Sequence, residues 1–464
     1  MQHQHAAFFF RRDLRLDDNS GLRAALESSR RVTLFFTLDP RQGPGHRFFS
    51  RFGFGFMADS IRSLDRAIRA RGGSLELRVG SPEALVPELA GRGFDALFWN
   101  RDYTPFSRSR DKRLADACAA SGIAAHARHD VLLHPPGEVT LPSGEPYRVF
   151  TPFYKRAQTI EVARPVALDA GVRFEPGQAS EAGWNRLDEI AAAAGATPRL
   201  RGGREKALEH LARVARLAAY DSMRDFPAVE GTTELSPHLK FGTISPREVL
   251  WASRDAHGNG HGIERELYWR DFMTQLAAAF PVVFGRAFRP EFEAVAWRND
   301  PGDWARWTAG TTGFPIVDAG MRELAATGSM HNRTRMIVAS FLVKDLLIDW
   351  REGEAWFAQH LTDYDPAVNN GSWQWASSTG ADAAPYFRIF NPWLQQAKFD
   401  PDATYIKRWV PELDSLDAAT IHRLHEAPMA SFGRYPQPML HHHEASERAK
   451  AAFSAAAGKP LSTR

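Results

Sequence analysis

The segment Thr232-Thr233-Glu234-Leu235-Ser236-Pro237 places three hydroxyls just ahead of a helix-like stretch, His238 to Phe241. Ser at an N-cap with Pro at the first helical position is a strong helix start. Hydroxyls, free N–H groups and a helix dipole together suit an anion such as a phosphate, although most such caps bind nothing. A second polar cluster, Asp363-Tyr364-Asp365 with Asn369-Asn370-Gly371, does not follow EF-hand spacing. Trp373 and Trp375 follow it at once, and Met330-His331-Asn332-Arg333-Thr334-Arg335 lies about thirty residues upstream, bringing an amide and two guanidinium groups ahead of an apolar helix. Polar groups entering a core need partners there.

These residues need a large scaffold. The chain has 464 residues, 44% hydrophobic and 24% charged, which predicts a globular protein of two or more domains. A net charge of +3 permits a nucleic-acid partner but confines any binding face to a local patch. Cys118, the single cysteine, rules out an intrachain disulfide and a cysteine-built zinc site and reads as a small buried hydrophobe. The apolar run Met336 to Val343 falls far short of a bilayer span, and the polar start lacks the pattern of a signal peptide. A cytoplasmic location is therefore expected.

From Ala6 to about Asp130, short apolar runs alternate with helical patterns. Strands are expected at Ala6–Phe10, Val32–Leu38, Leu75–Val79, Ala96–Trp99 and Ile123–His126, with helices at Leu22–Ser28, Phe56–Ala70, Pro82–Ala90 and Arg108–Ala120. This order predicts an α/β N-terminal domain with a parallel, doubly wound sheet over residues 1–130. No Gly-x-Gly-x-x-Gly follows the first strand, so a nicotinamide site is unsupported. Residues 131–198, rich in Pro and Gly, read as a connector, and residues 199–464 as an all-α domain with helical spacing over Ile263–Phe280 and Arg335–Leu347.

Seven blocks, in order along nearly the whole chain, carry a resemblance. They are Phe10-Arg11-Arg12-Asp13-Leu14-Arg15 with Asp18-Asn19; Trp99-Asn100-Arg101-Asp102-Tyr103; Glu230 to Pro237; Glu266-Leu267-Tyr268-Trp269-Arg270; Gly313-Phe314-Pro315-Ile316-Val317-Asp318; Met330-His331-Asn332-Arg333; and Asn369-Asn370-Gly371-Ser372-Trp373-Gln374-Trp375. With them the chain resembles the class I cyclobutane pyrimidine dimer photolyases of the cryptochrome/photolyase family.

The resemblance implies a helical C-terminal domain that binds FAD and DNA, and light-driven repair by electron transfer from reduced, anionic FAD to a flipped-out lesion. It assigns Tyr220, Thr232, Thr233, Glu234, Leu235 and Ser236 to the FAD phosphates and adjoining groups, with Arg270 and Tyr364 also in the cofactor site. Arg335, Asp363, Asp365 and Asn369 would surround the flavin ring and its sugar chain, Asn369 facing flavin N5. A neutral amide has no acid proton to give, which favours the anionic reduced form. Glu266, Trp269, Asn332, Met336 and Trp375 would form the lesion pocket, and Arg224 would contact DNA. Glu266 and Asn369 count as catalytic in this reading, as do Trp297, Trp350 and Trp373, which would carry electrons to oxidised FAD. Seen alone, any of these indoles reads as core packing.

The implied partner is UV-damaged DNA, with no membrane, no metal and no obligate protein partner, and a monomer is expected. An antenna chromophore in the N-terminal domain, a deazaflavin or methenyltetrahydrofolate, is left open. Thr104 stands where folate-binding members tend to carry Glu, which speaks against the folate, and Ser329 replaces the Trp usual before Met-His-Asn. Arg11, Arg12 and Arg15 read either as chromophore contacts or as salt-bridge partners. A cryptochrome photoreceptor without repair activity and a (6-4) photoproduct enzyme are the alternatives. Asn369, Met336, Glu266 with Trp269 and the lack of a long C-terminal extension weigh against the first, and the lack of a His pair near Asn332 against the second.

Overall fold

Phe8, Phe9 and Phe10 are adjacent in sequence, and a strand sends their side chains alternately to opposite faces. All three are buried, so the strand that carries them must be covered on both sides. In the computed structural model, which describes residues 1–382, 387–426 and 433–460, that strand is β1 (His3–Phe10), the middle of a five-stranded parallel sheet. Its neighbours are β2 (Ser29–Leu38), β3 (Leu75–Val79), β4 (Ala96–Asn100) and β5 (Ala124–Arg128), in the order β3-β2-β1-β4-β5. Phe9 pairs with Phe35 and with Trp99 across the register. Phe8 and Phe10 join Leu34, Phe36 and Leu77 on one face, while Phe9, Phe35, Leu97 and Trp99 form the other.

Helices α1 (Ser20–Ser28) and α2 (Arg51–Arg69) cover the first face, and α3 (Pro82–Gly91) and α4 (Pro105–Ala120) the second. The starts of α1 and α2 are fixed by side chains: Asn19 accepts from Leu22 N at 3.1 Å and Ser50 from Gly53 N at 2.8 Å. Cys118 on α4 is buried, its thiol pushed up to about 11 by burial, as suits an inert core residue. The expected α/β architecture is present.

The expected connector is not one. Residues 131–198 carry α5 (Phe150–Ala157) and α6 (Glu181–Ala194), and α6 packs on α2 and β3 through Leu187 and Ile190. Gly183 makes the close approach: a Cβ there would lie 1.9 Å from Leu77 O. The domain boundary moves accordingly. The chain divides into two compact units, the first comprising Met1–Ala218, Thr233–Pro281 and Thr362–Ala367, so the long-range contacts of residues 199–281 assign most of them to the α/β unit. That unit includes α7 (Arg204–Arg213), α9 (Ser236–Phe241), α10 (Pro246–His257) and α11 (Gly262–Ala279).

The second unit, Ala219–Thr232, Val282–Leu361 and Val368–Arg464, is helical. It holds α8 (Tyr220–Met223), α12 (Pro301–Ala309), α13 (Pro315–Thr327), α14 (Asn332–Ser340), α15 (Trp350–His360), most of α16 (Pro366–Ser377), α17 (Pro392–Phe399), α18 (Thr404–Trp409), α19 (Ala418–His422) and α20 (His442–Ala457). The helix expected over Arg335–Leu347 ends at Ser340 and gives way to a wider π turn, Phe341–Asp345. Buried Lys344 in that turn donates to Ser377 O at 2.8 Å and Ser378 Oγ at 3.1 Å, closing the end of α16. Trp307, Trp350 and Trp373 are the largest side chains of this core.

Candidate functional site

In the first unit the hydroxyl segment meets the acidic segment Asp363–Asp365. Ser236 Oγ donates to Asp363 Oδ2 at 2.7 Å. Ser236 is the first residue of α9 rather than its N-cap, which is Leu235, so its hydroxyl turns to Asp363 instead of capping the helix. Glu234 has φ +55° and Leu235 φ −86°, ψ −5°, a left-handed and a right-handed residue in succession. Such a pair turns consecutive N–H groups toward one point and makes an anion cradle. The Glu234 carboxylate points elsewhere, accepting from Arg199 at 2.6 Å and Arg213 at 2.8 Å. Thr233 Oγ1 accepts from Leu235 N at 3.3 Å.

Asp365 sits among cations. Its Oδ2 is bonded to Arg12, whose guanidinium also reaches Asp102 at 3.2 Å and Lys240 O at 3.2 Å. Burial alone would raise the Asp365 carboxyl, but Arg12, Lys240 and Arg270 outweigh it and hold it well below the usual carboxylate range. The Lys240 amine is pushed down to about 7 by burial and by Arg12, against the pull of Asp365 and Asp102. Arg270 donates to Val131 O and Leu239 O. Tyr364 stacks with Phe48 at 6.1 Å. Arg11, half-buried, and Arg15, buried, pair with Asp111 and Asp130 respectively.

Glu266 and Trp269 lie on α11, one turn apart. Trp269 is half-buried and lies flat on Phe150 at 3.6 Å and 7°, edged by Phe272 at 5.8 Å. One ring face is therefore fixed by Phe150, the first residue of α5. Sequence reasoning missed Phe150 because it fell in the supposed connector.

In the second unit, His331 caps α14, its Nδ1 accepting from Arg333 N at 3.2 Å. Burial first, then the neighbouring Arg335, pushes the ring down to about 4, so it stays neutral and able to accept. Asn332 and Met336 share a face of α14, Asn332 Nδ2 lying 3.8 Å from Met336 Sδ, and Arg335 Nε donates to Met330 O at 2.8 Å. On α16, Asn369 Nδ2 donates to Glu354 O at 3.3 Å. Gln374 anchors the helix between Trp373 and Trp375, donating to Val283 O and Asn370 Oδ1 at 3.1 Å and accepting from Phe288 N at 2.7 Å. Gly353 leaves room for Trp373, since a Cβ there would lie 2.2 Å from its ring. Arg224 lies over the Tyr220 ring at 5.7 Å, and Thr232 closes that segment.

The three indoles expected to act in series are not joined by ring contacts. Trp297 edges onto Phe453 at 5.6 Å, Trp350 lies under the Arg351 guanidinium at 4.9 Å, and Trp373 meets Phe357 at 4.9 Å and Trp307 at 6.5 Å. A cleft of about 450 Å³ in this unit is lined by Arg333, Arg388 and Lys398 with Phe226, Phe390 and Phe399, against the single carboxylate of Asp225. Arg333 bonds Asp225 at 2.6 Å and lies over Phe399 at 4.2 Å. The sequence signal was cations interleaved with aromatics, Arg388-Ile389-Phe390 and Lys398-Phe399, and it was overlooked. Among the described residues no helix is long and apolar enough to cross a membrane.

A doubly wound sheet with a hydroxyl-lined anion cradle in the same unit suits a protein that binds a nucleotide cofactor. Residues 6–169 match the DNA photolyase family and residues 263–455 the FAD binding domain of DNA photolyase. The chain is 38% identical to a deoxyribodipyrimidine photo-lyase of Agrobacterium fabrum, over 96% of this chain and 97% of that one. An archaeal photolyase from Sulfolobus tokodaii, solved with two FAD molecules, is 39% identical with a TM-score of 0.88 over 97% of this chain and all of that one. A bacterial class III photolyase from Agrobacterium tumefaciens is 36% identical with a TM-score of 0.86 over 99% of both. The chain belongs to the DNA photolyase family, and FAD is its cofactor. The residues of the first unit fit that group: the hydroxyls of Thr233 and Ser236 and the left-handed, right-handed pair Glu234–Leu235 offer a cradle suited to its phosphates.

Proposed function

We propose that this protein is a light-driven deoxyribodipyrimidine photo-lyase of the class I type, which splits cyclobutane pyrimidine dimers in DNA as a cytoplasmic monomer. The observation that carries the reading is correspondence over 96% of the chain with an enzyme of that name. The seven motif blocks support the class.

In this reading, bound FAD in its reduced form would supply the light-driven, returnable electron that ring opening needs. The protein's residues prepare that event. The hydroxyls of Thr232 and Thr233 and the N–H groups of Glu234 and Ser236 hold the phosphates, Leu235 shapes the cradle, and Tyr220, Arg270 and Tyr364 complete the set of cofactor residues. Asp363 and Asp365 accept from sugar and ring donors. Arg335 supplies positive charge beside an anionic ring. Asn369, with one of its two amide N–H donors on Glu354 O, has no acid proton to deliver.

Trp269 and Trp375 stack on the extruded pyrimidines, Met336 fills the apolar wall, and Glu266 and Asn332 bond the base edges. Arg224 and the cleft of Arg333, Arg388 and Lys398 take backbone phosphates. Trp373, Trp350 and Trp297 serve electron supply when the cofactor is oxidised. The test is repair of a defined thymine-dimer oligonucleotide by purified, reduced protein with and without blue light. Light-dependent restoration of thymines supports the reading. Bound, photoreducible FAD without restoration overturns it in favour of a photoreceptor.

A further inference from the structure

Within the hydroxyl segment only Glu234 has a left-handed backbone, φ +55°. A residue with a Cβ is strained there, and the conformation persists only where its surroundings impose it. Part of the hold comes from the next residue: the Leu235 side chain is buried, and its N–H is taken by Thr233 Oγ1 at 3.3 Å. The rest comes through the Glu234 carboxylate, whose two oxygens take one arginine each. Arg199 Nη2 meets Oε1 at 2.6 Å and Arg213 Nη1 meets Oε2 at 2.8 Å. Burial alone would raise this carboxyl, but Arg199 and then Arg213 outweigh it and hold it below the usual carboxylate range, so it is charged and paired. His210 Nδ1 lies 3.8 Å from the same group, and burial pushes its ring down, which leaves the two guanidinium groups as the cations of the clamp. Arg213 ends α7 and Arg199 lies ahead of that helix, and neither falls in any of the seven motif blocks.

We propose that Arg199 and Arg213 are positioning residues for the cofactor: by clamping the Glu234 carboxylate they impose the left-handed turn that aims the N–H groups of Glu234 and Ser236 at the phosphates of FAD. The inference rests on the reading that those phosphates sit on this segment. The Glu234 side chain is then a handle on the backbone and not a ligand of the cofactor, since a carboxylate facing a phosphate would repel it and both of its oxygens are already taken. A glycine reaches the same φ without strain. Glycine at 234 therefore forms the turn with no clamp, whereas alanine there has neither the clamp nor the conformational freedom.

The test dilutes the FAD-loaded protein and follows free flavin fluorescence as the cofactor is released. Glu234→Ala and Arg199→Ala/Arg213→Ala are each expected to release FAD about fivefold faster than wild type or more, and Glu234→Gly about threefold more slowly than Glu234→Ala. Adding the two arginine changes to Glu234→Gly is expected to alter release by less than about twofold, because the clamp then has nothing to hold. Should the arginine pair disturb folding, the comparison of Glu234→Gly with Glu234→Ala carries the test, as both leave the arginines in place. Equal release from these two variants sinks the clamp, and so does an arginine effect that keeps its full size in the glycine background, which would make Arg199 and Arg213 direct phosphate contacts. Ser236→Ala, which leaves the clamp intact, separates the two kinds of failure. Release from it no faster than from wild type overturns the placement of the phosphates and the proposal with it, whereas faster release there beside equal release from Glu234→Gly and Glu234→Ala overturns the clamp alone.

Discussion

Ser236 Oγ donates to Asp363 Oδ2 at 2.7 Å across 127 residues of sequence. The bond joins the hydroxyl loop to the acidic loop, and both are assigned to the cofactor.

Ser236→Ala is therefore expected to loosen FAD. A hydrogen bond to a charged group contributes about 1.5–3 kcal/mol, so the FAD dissociation constant should rise at least about tenfold. Flavin absorbance per protein after gel filtration measures it. Unchanged stoichiometry and affinity would remove Ser236 from the site.

Trp269→Ala removes the ring held on Phe150. Stacking of a base on an aromatic side chain is worth about 1–3 kcal/mol. Affinity for dimer-containing duplex should fall by about tenfold or more, while affinity for undamaged duplex holds. Equal losses on both would point to a folding defect rather than a lesion contact.

Arg388→Ala/Lys398→Ala tests the basic cleft. Removing one cation that neutralises a phosphate lowers the salt slope of binding by about 0.9, so the plot of log affinity against log salt should flatten by about two. A parallel line would show that the cleft takes no phosphate.

Gly353→Ala gains about 1 kcal/mol in helix propensity but drives a methyl to within 2.2 Å of the Trp373 ring and 2.6 Å of Leu342. Overpacking of that kind costs about 1–3 kcal/mol, so a net loss of stability is expected. A melting temperature at or above wild type would mean that Trp373 can move aside freely.

The Asp271 carboxyl, fully buried and accepting from Leu133 N and His134 N at 2.9 and 3.0 Å, is raised to about 7, burial outweighing Arg270 and these N–H groups. Unfolded, it titrates near about 3.9. Between those values the folded state holds the proton and the unfolded state does not, so the stabilising contribution present below the unfolded value is lost as pH rises through about 7. Urea melts at pH 4, 5.5 and 7.5 should show that decline, and Asp271→Asn should flatten it. A variant with the wild-type pH dependence would place the effect on another group.

The sheet was legible because its inner strands, covered on both faces, read as continuous apolar runs, and all five strands overlap the expected spans. The hydroxyl loop and the acidic loop could each be picked out by residue type. What local pattern could not give was α5 and α6, since Pro and Gly punctuate residues 131–198 without excluding helices, and Phe150 went unnoticed with them.

The sequence alone determined which side chains exist to do chemistry and the order of elements that carries them, because periodicity and residue type are local properties. Tertiary structure alone decided their partners. That Glu234 turns to Arg199 and Arg213, that Asp365 lies among Arg12, Lys240 and Arg270, and that Trp373 meets Trp307 rather than Trp350 all depend on residues distant in the chain. Contacts of that kind are set by packing once the helices have found their neighbours, and no local spacing encodes them.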